Sequence, residues 1–377
     1  MRILTRNERH CGPSFVLTLL LMLLLKGGAV GTTPKPLDRV LEGPEVQNSG
    51  VTEANVDRFR GLQAALKRNN LLEIAGFFSF PYKLPYPVPP IRTAEEFIVR
   101  IDEVLDDSLR QRIVEADPVE DVVLMGWRGI MLGPGLVWFR EHDMRIYWIN
   151  HQTPSFLEAR ARIIEQMKAS LHPSLREFHL PELEQETRSF RIRVDQMEDE
   201  TYRYAAWPRD RSFQDEPSLV IHGGTVEYPG SGGNHVFTFT RGSYRYEVGV
   251  YPIGHRTSPP GELVVYQNEV EILYQPFPYI LYSENHRVWI EYHRLDGVSL
   301  HLWSREKPTQ EAPDVFVQDG KVTYTDQPEG NLYIFEQVDR RYEVANPFHY
   351  ILNKPPLWLR IFDTTGEILS EQLQTLP

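Results

Sequence analysis

The chain contains two copies of one segment. Residues 191–273 align with residues 287–369 at a constant offset of 96, and no gap is needed. Identical residues stand at many matched positions, among them Trp207 and Trp303, and Arg245–Val248 and Arg341–Val344. One register kept through loops, where insertions are common, indicates two copies of one small domain. The C-terminal half is therefore expected to fold as two similar units in series.

Each copy contains seven short runs rich in β-branched and aromatic residues, separated by polar turns. In the first copy these predicted strands lie near residues 190–195, 202–207, 218–222, 235–240, 244–250, 262–267 and 270–274. Seven short strands with polar turns are typical of an antiparallel β-sandwich. We therefore predict two tandem all-β sandwich domains, at 188–278 and 279–377, with Trp207 and Trp303 as matched core residues.

The region before the repeats has a different pattern. Thr52 can cap a helix whose apolar residues fall on one face, and Thr93 with Glu96 is typical of a second helix start. Short β-rich runs follow Pro118. Helices followed by a curved antiparallel sheet predict an α+β domain over residues 51–155, and this order resembles the NTF2-like fold, a cone-shaped sheet wrapped around helices. A helix at 156–169 and a linker at 173–186 complete the segment 156–187.

Several strings of the first copy resemble a module of secreted bacterial proteins in which it also follows an NTF2-like domain. The strings are 192–195, 202–207, 217–220 and 230–235. The second copy departs from them, since residues 299–303 and 325–331 carry other sequences. The family has no established activity, so the resemblance implies only the fold and export.

The first 31 residues are typical of an export signal. Three arginines precede an apolar stretch at 15–25, and Ala29-Val30-Gly31 offers a cleavage site near Gly31. The stretch is about half the roughly 20 residues that a membrane-spanning helix needs, which favours cleavage over a retained anchor. The only cysteine, Cys11, precedes the stretch, so the mature chain has no site for a lipid anchor and no thiol. A flexible leader at 32–50 follows, and we expect the protein in the periplasm or outside the cell.

The charge balance limits the partners. Signal removal takes the basic and acidic counts from 40 and 52 to 36 and 51, so the net charge changes from −12 to −15. Such a chain repels phosphate backbones and anionic headgroups. We therefore expect a protein or glycan partner in the cell envelope, no nucleic acid and no membrane insertion after cleavage. The oligomeric state stays open.

Motifs for catalysis or metal binding are weak. The Gly-rich stretch 229–235 runs into a strand without a following lysine, which favours a hairpin loop over a phosphate loop. Glu291 and His293 would share one face of a strand, but no third ligand stands near, so a polar pair is favoured over a metal site. Asp199 and Glu200 lie in a turn that could hold calcium weakly. We predict no catalytic residue and no cofactor.

An apolar pocket inside the N-terminal cone is the most plausible small-molecule site. Its candidate lining residues are Tyr82, Tyr86, Trp127, Met131, Trp138 and Tyr147. The alternative is that these aromatic residues fill the core. The leading functional hypothesis is a non-enzymatic, exported binding or scaffolding protein that contacts its partner through the tandem β-modules. The second hypothesis is a small-ligand carrier or NTF2-like enzyme that uses the cone pocket.

Overall fold

The computed structural model describes residues 50–230, 233–252, 258–294, 297–326, 329–347 and 357–375. The predicted signal, its cleavage site and nearly all of the predicted leader lie outside the described residues. Within those residues the protein is mostly β, with few helices and with antiparallel sheets.

The first part, which we call the head, contains four helices and then a four-stranded sheet. Its elements are α1 (Glu53–Arg68), α2 (Leu71–Ala75), α3 (Ala94–Val99), α4 (Asp107–Glu115), β1 (Val122–Leu124), β2 (Ile130–Leu132), β3 (Val137–Phe139) and β4 (Ile146–Ile149). The strands pair antiparallel in chain order. Thr52 and Thr93 cap α1 and α3 as predicted, each accepting from a backbone N–H three residues on. The predicted order of helices before sheet is confirmed, whereas the cone shape stays a prediction.

One face of the head sheet packs on the helices. Phe59 of α1 meets Phe139 of β3 edge to face, with ring centroids 5.8 Å apart. Ile130, Val137 and Phe97 are completely buried in the same apolar cluster. The interior of the head is therefore filled largely by its own apolar side chains.

Helix α5 (Pro154–Ser170) follows the head and leads into the first β unit. This unit, barrel 1, contains β5 (Leu180–Glu186), β6 (Phe190–Gln196), β7 (Tyr202–Pro208), β8 (Leu219–Glu227), β9 (His235–Arg241), β10 (Tyr244–Val250), β11 (Gly261–Gln267) and β12 (Val270–Pro276). Its eight strands form one antiparallel sheet in chain order. The seven predicted strands are present, and β5 is an eighth strand inside the segment predicted to be a linker.

The second unit, barrel 2, is a closed barrel of eight strands. They are β13 (Tyr279–Tyr282), β14 (His286–Tyr292), β15 (Val298–Ser304), β16 (Val315–Asp326), β17 (Glu329–Glu336), β18 (Arg341–Pro347), β19 (Leu357–Asp363) and β20 (Gly366–Thr375). The predicted two-sheet sandwich is thus not confirmed. Every strand pairs with its neighbour in the chain, so the sheet curves around one apolar core instead of splitting into two facing layers.

The offset of 96 residues holds in three dimensions. Strand β7 corresponds to β15, and β11 corresponds to β19, residue for residue. The register irregularity between Val265 and Tyr266 recurs between Ile361 and Phe362. Irregularities in matched places indicate that both units are built on one plan.

Both repeated tryptophans are buried, but they lie outside the barrel interiors. In β7, Tyr204 and Ala206 belong to the interior cluster, whereas Trp207 belongs to a separate cluster on the opposite face. The Trp207 Nε1–H donates to the Asp215 carbonyl at 2.9 Å. The Trp303 Nε1–H donates to the Glu311 carbonyl, again at 2.9 Å and 96 residues later. Each indole therefore holds the following loop against the outer face of its barrel.

Only the second unit closes by strand pairing, and a proline accounts for the difference. In barrel 2 the end of β20 pairs with β13, with Gln374 opposite Tyr282. The position that matches Gln374 in barrel 1 is Pro278, which has no N–H to donate. The chain then enters β13 at Tyr279 and leaves barrel 1. The last strand of barrel 1 therefore ends before it can pair with β5.

A side-chain clamp joins the last strand to the first hairpin turn in both units. In barrel 1, Gln275 accepts a hydrogen bond from the Thr187 hydroxyl, and its amide donates to the Ser189 hydroxyl at 2.8 Å. In barrel 2, Glu371 stands at the matched position and accepts from the Ser283 hydroxyl and the Asn285 amide. The duplicated clamp is neutral in barrel 1 and acidic in barrel 2.

The acidic clamp predicts a pH dependence in barrel 2. Burial alone would raise the pKa of Glu371, but hydrogen bonds from His286, Ser283 and Asn285 outweigh burial and hold the pKa below its ordinary value. Because the folded pKa is the lower one, the carboxylate stabilises the fold above the ordinary glutamate range, near pH 4.3, and loses this effect as the pH falls through the folded pKa.

Glu371→Gln, which copies Gln275, should remove this dependence. We expect the wild type to be more stable than the variant by roughly 1–2 kcal/mol near neutral pH. The urea midpoints of the two proteins should converge as the pH falls below the ordinary glutamate range and through the lowered folded pKa. A difference in midpoint that stays constant over this range would show that the clamp does not titrate.

Candidate functional site

The structure does not gather the six predicted pocket residues around one cavity. Tyr82 is buried in the head core, with its ring edge on Phe78. It also lines a cavity of about 10 Å³, together with Trp148 and His151. A space of that size holds about one water molecule. The other five residues do not line this cavity. Tyr86 lies at the junction with barrel 1. The remaining four, Trp127, Met131, Trp138 and Tyr147, lie on or next to the side of the head sheet that faces away from the helices.

The far side of the head sheet, which we call the outer face, carries a row of large side chains. Ile130, Leu132, Val137 and Phe139 point into the core, so Met131 and Trp138, between them in sequence, point away from it. The sheet register places Val123, Met131, Trp138 and Trp148 side by side across the four strands. Met131 and Trp138 are therefore neighbours, as predicted for a shared site, but on the outer side of the sheet.

Tyr147 ties the outer face to the turn before β2. It is the extra residue of a bulge in β4, and its hydroxyl donates to the Arg128 carbonyl at 2.8 Å. Since β3 lies between these two elements, the tyrosine crosses β3 on the outer face. Burial raises the pKa of Tyr147, and the nearby Arg128 charge opposes that rise. This turn, Gly126–Arg128, holds Trp127 with 74% of its surface exposed.

The junction between the head and barrel 1 contains a buried ionic cluster. Asp195 of β6 is fully buried and pairs with two arginines, Arg193 and Arg203, at 2.6 Å each. Arg193 also pairs with Glu184 of β5. Arg203 donates to the carbonyls of Leu175 and Glu177, in the turn after α5. The cluster therefore fixes the turn after α5 on the outside of barrel 1.

The cluster also acts on Tyr86 of the head. Burial raises the pKa of the Tyr86 hydroxyl, the Glu184 charge raises it further, and Arg193 opposes the rise. Burial likewise raises the pKa of Glu184, against the lowering effect of Arg193. A buried acid with a raised pKa can mark a catalytic site. Here the acid and tyrosine face a paired arginine, so the arrangement is that of a domain contact.

Barrel 1 is joined to barrel 2 by a second set of contacts. The Arg209 guanidinium stacks on Trp289, with its central carbon 4.3 Å from the ring centroid, and lies 5.6 Å from that of Trp303. Its Nη2 donates to the Thr309 carbonyl at 2.6 Å. Arg188 of barrel 1 pairs with Glu291 of barrel 2 at 3.2 Å. The outside of the strand wall therefore makes contacts with other parts of the chain in both barrel units.

Three side chains of barrel 2 have the composition of a hydrolase triad without its geometry. The Ser299 hydroxyl is 3.3 Å from His301 Nε2, and Glu291 is 3.4 Å from the same nitrogen. A relay needs the acid on one ring nitrogen and the hydroxyl on the other. Ser299 is also completely buried. Glu291 was predicted to pair with His293, but its partners are His301 and Arg188. Burial alone would raise the pKa of Glu291, whereas these two partners lower it below its ordinary value.

The other candidate sites have structural roles in the described residues. Asp199 accepts from the backbone N–H and hydroxyl of Thr201, which lower the pKa of the aspartate and shape the turn. Strands β8 and β9 on either side of the Gly-rich stretch pair antiparallel, while residues 231 and 232 of the predicted hairpin loop lie outside the described residues. No group of three potential metal ligands occurs in the part of the chain that the structure describes. Among the helices of that same part, none combines the length and apolar character needed to cross a bilayer.

No family model, no curated protein and no solved structure matches the chain. The resemblance to secreted bacterial proteins therefore stays a prediction.

Proposed function

We propose that the protein is an exported, non-enzymatic binding and scaffolding protein of the cell envelope, with a protein or glycan partner. Export rests on the signal-like residues 1–31, and the acidic balance disfavours nucleic acid and anionic membranes. Within this proposal, we also infer that the head has the NTF2-like architecture, since its sheet packs one face on the preceding helices.

The observation that carries the proposal is the use of polar and aromatic side chains as ties between parts. Asp195 with its two arginines fastens the turn after α5 to barrel 1, and Arg209 with Arg188 fastens barrel 1 to barrel 2. Such contacts favour a fixed order of modules. A fixed array presents its surfaces to a partner with little ordering cost, which is what a scaffold requires.

The alternative, a small-ligand carrier or enzyme working inside the head, has less support. The cavity beside Tyr82 has about 10 Å³, whereas pockets for small molecules span hundreds of Å³. The predicted lining residues Met131, Trp138 and Tyr147 lie on the outer face instead.

The test uses the mature chain, residues 32–377. It is incubated with envelope proteins and with soluble envelope polysaccharides, and the bound fraction, the polymer length and any extracted small molecule are measured. We expect saturable binding of a partner whose length does not change. Shortened polymer would support an enzyme, and a stoichiometric small molecule in the extract would support a carrier.

A further inference from the structure

We propose that the outer face of the head binds an acidic polysaccharide, one whose pyranose rings carry carboxylates. This inference rests on the proposed binding function and names its surface and ligand class. The surface comprises the row from Val123 to Trp148 across the sheet, together with Trp127 and three arginines, Arg128, Arg140 and Arg145.

The strand register places aromatic side chains next to each other on this face. Trp138 and Trp148 stand opposite each other on neighbouring strands, and strands lie ~4.8 Å apart. Trp127 extends the surface at the end of β2, with the Arg128 guanidinium 5.5 Å from its ring. Indole faces pack on apolar faces of ring-shaped ligands while their edges stay hydrated. A row of rings on a sheet therefore suits a chain of sugar rings.

The backbone of the turn that carries the exposed tryptophan is held in place by several contacts. The Gly129 backbone has φ +84°, and a Cβ there would lie 2.4 Å from the Phe139 carbonyl, so the turn packs tightly on β3. The Met125 N–H donates to the Gly129 carbonyl at 2.7 Å, and Tyr147 holds Arg128 from the other side. A fixed turn that exposes an indole has already lost the freedom that binding would otherwise remove.

The charges beside the rings favour a carboxylate ligand. Arg140 and Arg145 are joined by a backbone hydrogen bond of 2.9 Å, and both flank residues that point into the core, so both lie on the outer face. Asp143 is 3.7 Å from Arg145, and Glu141 is exposed nearby. The region carries three arginines and these two acids, so its local charge is positive although the whole chain has a net charge of −12. Guanidinium groups bind carboxylates in a bidentate way.

The test measures the affinity of the mature chain for sodium polygalacturonate by isothermal titration. Its methyl-esterified form serves as the uncharged match, and polyphosphate serves as an anion without sugar rings. We expect the acid form to bind, and both Trp127→Ala and Arg140→Gln to weaken binding about tenfold. Tyr228→Ala and Arg241→Gln, which change exposed residues of barrel 1, should leave the affinity unchanged.

Four results would overturn the inference. They are no binding of polygalacturonate, equal binding of the methyl ester, equal binding of polyphosphate, and equal loss in the barrel 1 variants. If polygalacturonate does not bind but an envelope protein does, the proposed scaffolding function still stands. Since Trp127 is exposed, its variant should keep the wild-type urea midpoint, which separates lost binding from lost folding.

Discussion

Replacing Asp195 with alanine is expected to lower the free energy of unfolding by about 3–5 kcal/mol. The carboxylate is fully buried and is the shared partner of Arg193 and Arg203, which are themselves buried. Without it, two guanidinium groups would stand close together with little water to solvate them. Urea unfolding of the mature chain measures the loss.

The duplication offers a matched control for this variant. Glu291 occupies the position of Asp195 in barrel 2, but its arginine partner, Arg188, is half exposed and can be solvated when the acid is removed. Glu291→Ala should therefore cost only about 1–2 kcal/mol. If Asp195→Ala costs no more than Glu291→Ala, the stabilising role assigned to the buried junction cluster is wrong.

Replacing Trp303 with alanine should destabilise barrel 2 by about 3–5 kcal/mol, and Trp207→Ala should have a similar effect on barrel 1. Both indoles are completely buried, and each supplies the hydrogen bond that holds the loop after its strand. Trp303 also stacks beside His301 and meets Trp289 at 5.4 Å. Each loss is to be read from the urea transition of the variant.

Phenylalanine variants separate packing from hydrogen bonding at these positions. Trp303→Phe keeps most of the ring but leaves the Glu311 carbonyl without its indole donor, so a loss of about 1–2 kcal/mol is expected. Trp358→Ala changes a partly exposed indole of barrel 2 and serves as the control. It should lower the free energy of unfolding by well under half as much as Trp303→Ala does. Equal losses at Trp303 and Trp358 would contradict the assigned role.

The sequence alone could predict the duplication, because matched aromatic residues and turns leave one register along the chain. It also predicted seven strands in each unit. It missed β5, where Pro181 and several glutamates hide the alternation of a strand. It missed barrel closure because closure depends on Leu281 pairing with Thr375, far apart in sequence, and on a single proline that prevents the same pairing in barrel 1.

The candidate site was predictable only in part. The sequence placed Met131 and Trp138 in one predicted site, but it could not show which face of the sheet meets the helices. That choice depends on packing against α1, where Phe59 contacts Phe139. The ionic cluster left a usable signal, since Arg193 and Asp195 are two apart in a strand that alternates polar and apolar residues and so share one face. Arg203 joins them only because β7 folds back on β6.

Hydrogen exchange of the indole N–H groups, followed by ¹⁵N NMR, tests the twin-barrel account most directly. Single Trp→Phe variants assign the signals. We expect Trp207 and Trp303 both to be strongly protected, since each N–H is buried and bonded to the carbonyl of a matched loop residue, while the exposed Trp127 exchanges without protection. Exchange of either repeated tryptophan at the rate of Trp127 would contradict the account.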